Sequence, residues 1–384
     1  MRLVLTSTAV ALFLALPAYA DDRAACLAGI ERLRTEVTSQ ARSGDLDDLQ
    51  RTLRRAEREL GERQFDECVE ILNAAAGDNR DDDKGPETDD MFGFTQGTDV
   101  PDPGEFEISG EADGAFGKRF GRYRAGTFTS AFEFAPMKGL SAEFGVTASG
   151  VSTRNVLDLE NERSGGWGSL SAELKWQALE RGPSSPVGLT FIIEPEVAFR
   201  DEDEGERGSG MGLEARLALD TALVPDRVFA AVNLSYEIEK FRPRGLVLFN
   251  GEGEELEGLP AGPCLTNAED EALENCVGSA RRASAERSSM FGLSGALAIQ
   301  AVPNVFVGAE LRYLRAYDGL GLNRFEGHAL FLGPTFYTKL TDQLSISAAF
   351  STQIAGRAED TPGRWLDLDN FSRHEAKLKI SYQF

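Results

Sequence analysis

His328 and His374 are the only imidazoles among 384 residues. Proton-transfer chemistry near neutral pH would have to run through them or through carboxylates. Ser372 and His374 stand two apart, so on a strand they share a face, expected to be the lipid-facing one. A nucleophilic serine needs a base within hydrogen-bond reach and a third group to orient that base. Two neighbours on one strand do not supply this, and no Gly-x-Ser-x-Gly elbow or phosphate-binding loop occurs elsewhere. The expectation is therefore no enzyme, no catalytic residues and no cofactor. The remaining reactive groups are Cys26, Cys68, Cys264 and Cys276. Without a CxxC pair they do not read as a metal site. Their even number and spacing suggest disulfides Cys26–Cys68 and Cys264–Cys276.

Charged side chains two residues apart are far more abundant. Glu173 and Lys175, Glu194 and Glu196, Glu214 and Arg216, Glu237 and Glu239, Glu310 and Arg312, and Glu375 and Lys377 all follow this spacing, with Glu143 in a similar setting. Glu107, Glu111, Asp113, Glu133, Asp220, Arg200, Lys339, Arg373 and Lys379 extend the set. In a strand this spacing puts both groups on one face. If the other face meets lipid, these residues line a lumen, where charges must be paired or hydrated. Pairing would give a closed structural barrel. Hydration would give a narrow water-filled path whose acidic excess favours cations.

The elements that would position these residues are strands. From residue 106 to 384 the apolar positions repeat every two residues. Leu378, Ile380, Tyr382 and Phe384 alternate with Lys377, Lys379, Ser381 and Gln383. The segments are long enough to cross a membrane at a tilt, which takes ~9–11 residues. Tight connections around 135–138, 224–227, 301–304 and 341–342 alternate with longer ones, the longest at 241–285. About twelve strands result, starting near 106, 121, 139, 166, 187, 209, 227, 286, 304, 326, 343 and 371. The expected fold is an all-β transmembrane antiparallel barrel with both ends on the periplasmic side. A soluble sandwich would instead enclose the apolar face.

Three further segments precede the barrel. Residues 1–20 carry Arg2, an apolar run and Ala18-Tyr19-Ala20, the pattern of a cleaved signal peptide. Residues 21–77 show helical spacing (Leu27, Ile30, Leu33, Val37; then Leu46, Leu49, Leu53, Ala56, Leu60) and predict a small α-helical periplasmic domain. Residues 78–105 are rich in Asp and Pro and read as an acidic linker. A formal charge of −23 repels phosphate backbones, so no nucleic-acid partner is expected.

The stretch Gly93-Phe94-Thr95-Gln96-Gly97-Thr98-Asp99-Val100, with Phe116-Gly117-Lys118-Arg119, Tyr123 and Leu223-Val224-Pro225-Asp226-Arg227-Val228-Phe229, resembles uncharacterised alphaproteobacterial outer-membrane β-barrel (porin-like) proteins. The resemblance covers most of the barrel but not the helical domain, and it implies a fold without a settled activity. A Ser and a His in a barrel of this size also loosely resemble the outer-membrane phospholipase, but that family's local motif is missing and the order is reversed. The terminal Phe384 resembles the signal read by the barrel assembly machinery of Gram-negative bacteria. The expected setting is the cell outer membrane, with lipid and lipopolysaccharide around the barrel and peptidoglycan within reach of the helical domain. The expected function is a narrow pore for small solutes or ions, with a closed anchoring barrel as the alternative.

Overall fold

A computed structural model describes residues 18–39, 46–62, positions 64, 65, 68, 69, 71 and 72, and 86–384 without 158, 160, 183, 184, 250–276, 278 and 362. The chain forms two compact units, residues 1–85 and 86–384.

The first unit contains α1 (Ala18–Ser39) and α2 (Leu46–Glu62). Cys26, Ile30 and Leu33 lie along one stripe of α1 at i, i+4 and i+7 and are buried. Cys26 and Ile30 pack with Ala56 and Cys68, flanked by Leu53, Leu60 and Leu72. Leu27, expected on this face, is exposed because it lies one residue around the helix from the stripe. The expected Cys26–Cys68 disulfide closes the unit across 42 residues. A loop of that length is worth roughly 4 kcal/mol of unfolded-state entropy, considerable for so small a core. Residues 1–17 and the Cys264–Cys276 pair lie outside the described residues.

The second unit is a closed antiparallel barrel of twelve strands: β1 (Phe106–Phe116), β2 (Arg122–Met137), β3 (Leu140–Arg154), β4 (Arg163–Leu179), β5 (Val187–Arg200), β6 (Arg207–Val224), β7 (Val228–Pro243), β10 (Glu286–Val302), β11 (Val305–Asp318), β12 (Arg324–Lys339), β13 (Leu344–Ala358) and β14 (His374–Gln383). β8 (Leu246–Phe249) and β9 (Ser279–Arg282) form a separate ribbon inside the long connection. β14 closes on β1 from Glu107↔Gln383 to Phe116↔His374. The tight connections gather at one end, where Asp226 and Asn304 take the left-handed conformation that two short turns demand. The longer connections gather at the other. These are called the turn end and the loop end.

The exterior is apolar. Leu378, Ile380 and Tyr382 are each 45% exposed, so nothing in the fold encloses them and the sandwich reading fails. Phe106 stacks on Phe132 and Phe384, and Trp176 on Phe191, giving an aromatic band at the turn end. Phe384 completes the closure by exchanging backbone hydrogen bonds with Phe106.

The acidic linker reading needs correction. Residues 86–105 belong to the barrel unit, and much of the segment is buried: Thr88, Met91, Phe92, Thr95 and Thr98 are all but inaccessible. Among the described residues, Asp89, Asp90 and Asp99 instead meet Lys175, Lys379 and Arg181. Met91 and Phe92 pack with Phe229, Phe306 and Tyr337 in an apolar patch of the inner wall.

Candidate functional site

The site is the lumen, and its central feature is a hairpin plug at residues 88–99. Phe92 and Thr95 form a single bridge, and the Gly97 N–H donates to Asp89 O, so the chain doubles back on itself. Gly93 at the tip takes φ +85°, which L side chains rarely adopt.

At the base of the hairpin, Asp220 of β6 accepts from the Thr98 N–H at 3.2 Å and the Thr98 hydroxyl at 2.8 Å, and also binds Thr88. Arg181 reaches Asp220 at 2.6 Å and Asp99 at 2.9 Å, bridging barrel and plug. The Thr98 carbonyl accepts from Thr190 at 2.6 Å and Gln177 at 2.9 Å. In the middle, Gln96 and Asn233 exchange two hydrogen bonds, at 2.7 and 2.9 Å, as a strand pair would. Near the tip, Glu310 accepts from the Phe94 N–H at 3.0 Å and the Thr95 hydroxyl at 2.9 Å. Arg312 lies 3.7 Å over the Phe94 ring. Asp89 binds Lys175 at 2.9 Å, and Asp90 binds Lys379 at 2.7 Å. Gly188 permits the close approach, since a Cβ there would collide with Thr98 and lie 2.6 Å from Asp220.

The strand glutamates expected on one face do share it, and their register forms a row. Glu107, Glu133, Glu143 and Glu173 are cross-strand neighbours in succession, as are Glu194, Glu214 and Glu237. Leu174↔Ile193 and Ser171↔Glu196 place Glu173 beside Glu194, so the row spans β1 to β7. Because barrel strands tilt, a row perpendicular to them climbs the wall. It starts near the turn end of β1 and finishes well up β7.

In its lower part Glu107, Glu133 and Glu173 have cationic partners, whereas Glu143 has no ion pair among the described residues. Lys175 lies 3.4 Å from both Glu133 and Glu173, and Lys379 3.9 Å from Glu107. Arg312 pairs with Glu310 and Glu375, and Lys377 with Glu111 at 2.7 Å. Higher up, Glu214 binds Arg216 at 2.7 Å, whereas Glu194, Glu196, Glu237 and Glu239 have no ion pair among the described residues. A cavity of about 220 Å³ lies between plug and wall, lined by Gln96, Glu214, Glu237 and Lys377 among others. A wider one of about 1120 Å³ forms the mouth at the loop end, with Asp201, Glu204, Glu239 and Glu286 on its wall.

In the mouth loop, enclosure is the larger cause and the carboxylates of Glu196, Asp203, Glu239 and Asp201 the smaller in pushing Glu202 up to about 8. Enclosure, then Asp201 and Glu206, push Glu204 up to about 7. Both side chains are exposed to the water of the mouth. Residues 363–373 also fold into the mouth: Phe371 packs on Phe331, and Arg119 holds Asp369 at 2.9 Å. Burial opposes the ionisation of Asp369, but hydrogen bonds from Thr361 and Arg119 outweigh it and lower its pKa.

Two expectations fail here. Ser372 does not share the lipid face with His374. β14 begins only at His374, and the preceding loop buries Ser372, whose hydroxyl meets His374 O and Glu375 at 3.3 Å. The His374 ring instead bonds Thr352 at 3.0 Å and stacks on Phe350. Arg373 likewise precedes the strand and is exposed rather than lumenal. The plug residues Thr88, Thr98 and Asp99, and their partner Arg181, had no strand periodicity to reveal them. The available signal was Met91, Phe92 and Phe94 clustered in an acidic stretch.

An apolar exterior around a charged lumen, occupied by a preceding segment of the same chain, defines the class: a plugged β-barrel of the outer-membrane type. Residues 86–384 match the model of the Family of unknown function (DUF6662), and the chain belongs to that family. The match begins where the barrel unit begins and leaves the helical unit out. A comparison with curated proteins found no match. Among solved structures, the chain is similar to the translocator domain of the autotransporter NalP from Neisseria meningitidis, at 14% identity, TM-score 0.41, covering 75% of this chain and 91% of that one. It is also similar to the beta domain of the Bordetella autotransporter BrkA, at 10% identity, TM-score 0.44, covering 73% and 99%. A third is the toluene transporter TodX of Pseudomonas putida, at 9% identity, TM-score 0.35, covering 78% and 97%.

Proposed function

We propose that the protein is a narrow outer-membrane pore that favours cations and is constricted at its turn end by the 88–99 hairpin. One observation carries the reading. Glu194, Glu196, Glu237 and Glu239 lie on the lumenal face of β5 and β7 without a salt bridge among the described residues. Carboxylates without a salt bridge must be hydrated or hydrogen-bonded, and a hydrated, acid-lined half of the lumen repels anions. In the same reading, residues 1–20 direct export to a Gram-negative outer membrane, the loop end faces outward, and the helical unit lies in the periplasm within reach of peptidoglycan. Phe384 serves the assembly machinery. No catalysis is assigned, because Ser372 and the His374 ring bond to different partners.

The ion pairs and hydrogen bonds around the plug favour a second reading, a barrel held shut with an anchoring role. Planar-bilayer recordings of the full chain separate the two. The pore reading expects a small cation-selective conductance that grows when Gly188→Val pushes against Thr98. Silence in both proteins would leave only the anchoring barrel.

A further inference from the structure

The outward surface of β2, β3 and β4 is organised in register near the loop end. Phe128, Ala148 and Trp167 face one another across the three strands. The next outward row towards the loop end is Gly126, Gly150 and Gly165, followed by Arg124, Ser152 and Arg163, and at the rim by Arg122 opposite Arg154. The glycines leave the sheet bare between two protruding rings, Phe128 at 52% and Trp167 at 71% exposure. The result is an outward groove of about 460 Å³.

All four arginines are exposed, and among the described residues none forms an ion pair with a carboxylate. This is unusual in a chain of net charge −23. Arg122 directly opposite Arg154 is a like-charge pair, unfavourable unless an anion lies between them. At the turn end, by contrast, the exposed Lys138 is matched by Glu180 at 2.8 Å. Guanidinium groups bind phosphate through paired N–H donors. An apolar trough running from such a cluster towards mid-wall suits a hydrocarbon chain.

We propose that this surface binds a phosphorylated lipid of the surrounding leaflet. Arg122, Arg124, Arg154 and Arg163 hold the phosphates, and an acyl chain lies over Gly126 and Gly150 between Phe128 and Trp167. The proposal rests on the reading of the chain as a membrane barrel. Lys240 and Arg242 are also exposed at the loop end, on β7, outside the residues that line this groove. They serve as a control for charge alone.

Native mass spectrometry of the full chain in non-ionic detergent provides the test, with diphosphorylated lipid A, phosphatidylcholine and inorganic phosphate as probes. The wild-type protein should retain lipid A over phosphatidylcholine. Arg122→Gln, Arg124→Gln, Arg154→Gln and Arg163→Gln together should weaken retention about tenfold or more, while Lys240→Gln with Arg242→Gln should not. Gly150→Leu, which fills the groove and leaves the arginines in place, should also weaken it. Unchanged retention in the quadruple variant would overturn the proposal, as would inorganic phosphate displacing the lipid at equal concentration. Failure of the barrel reading would show separately, as a protein that stays dispersed without detergent.

Discussion

The lower and upper halves of the lumen are built from the same glutamate row but have different neighbours. Below, Glu107, Glu133 and Glu173 share Lys175 and Lys379 with two plug carboxylates, Asp89 and Asp90. Above, Glu194 and Glu237 have no salt bridge among the described residues, and Glu237 lines the cavity beside the plug. The lesson is that acidic residues on a barrel wall do not define a pore by themselves. Whether they conduct or cross-link depends on how far the cations and the inserted hairpin reach.

The strongest way to break this contrast is to remove the anchor at the base. Asp220→Ala leaves Arg181 and the Thr88 and Thr98 donors without their shared acceptor. Losing one partner of a buried pair costs about 3–5 kcal/mol, enough to free the hairpin. Limited proteolysis should then cut within residues 86–105, a segment expected to resist cleavage in the wild-type protein. Gly188→Val should act in the same direction more mildly, raising single-channel conductance roughly threefold as the constriction widens.

Two tests sharpen the contrast from the other side. Glu194→Gln with Glu237→Gln should lower the cation-to-anion permeability ratio about twofold. Glu310→Gln, whose carboxylate is committed to Thr95 and the Phe94 N–H, should hardly change it but should loosen the tip of the plug. The smallest effect concerns pH. With pKa values raised towards about 8 and 7, Glu202 and Glu204 are neutral in mild acid and ionise as pH rises. Cation preference should therefore increase modestly from pH 6 to pH 9, as read from reversal potentials. The raised values mean that the folded mouth holds these protons more tightly than the unfolded chain does. Their contribution to stability is fully present below the unfolded value of 4.5 and is lost as pH rises to about 7 and 8.

The barrel was legible in the sequence because its strands are long and alternate without interruption. Expected strand starts at 106, 187 and 286 coincide with β1, β5 and β10, and none of the twelve lies more than three residues off. The lumenal side of Glu194, Glu214 and Glu310 followed from the same alternation. Alternation says nothing about register between strands, so the climbing row was invisible. The plug was hidden for a different reason. Its Asp residues signal disorder when read as solvated, yet here they meet Lys175, Lys379 and Arg181 from distant strands. Ser372 was misplaced because the turn before β14 rotates it inward, a local detail that strand periodicity cannot carry.

The most direct test of the divided lumen is the reversal potential of the full-length protein in a planar bilayer under a potassium chloride gradient. The account predicts a small current with the sign of cation preference. An anion-selective current, or none even after Gly188→Val, would contradict it.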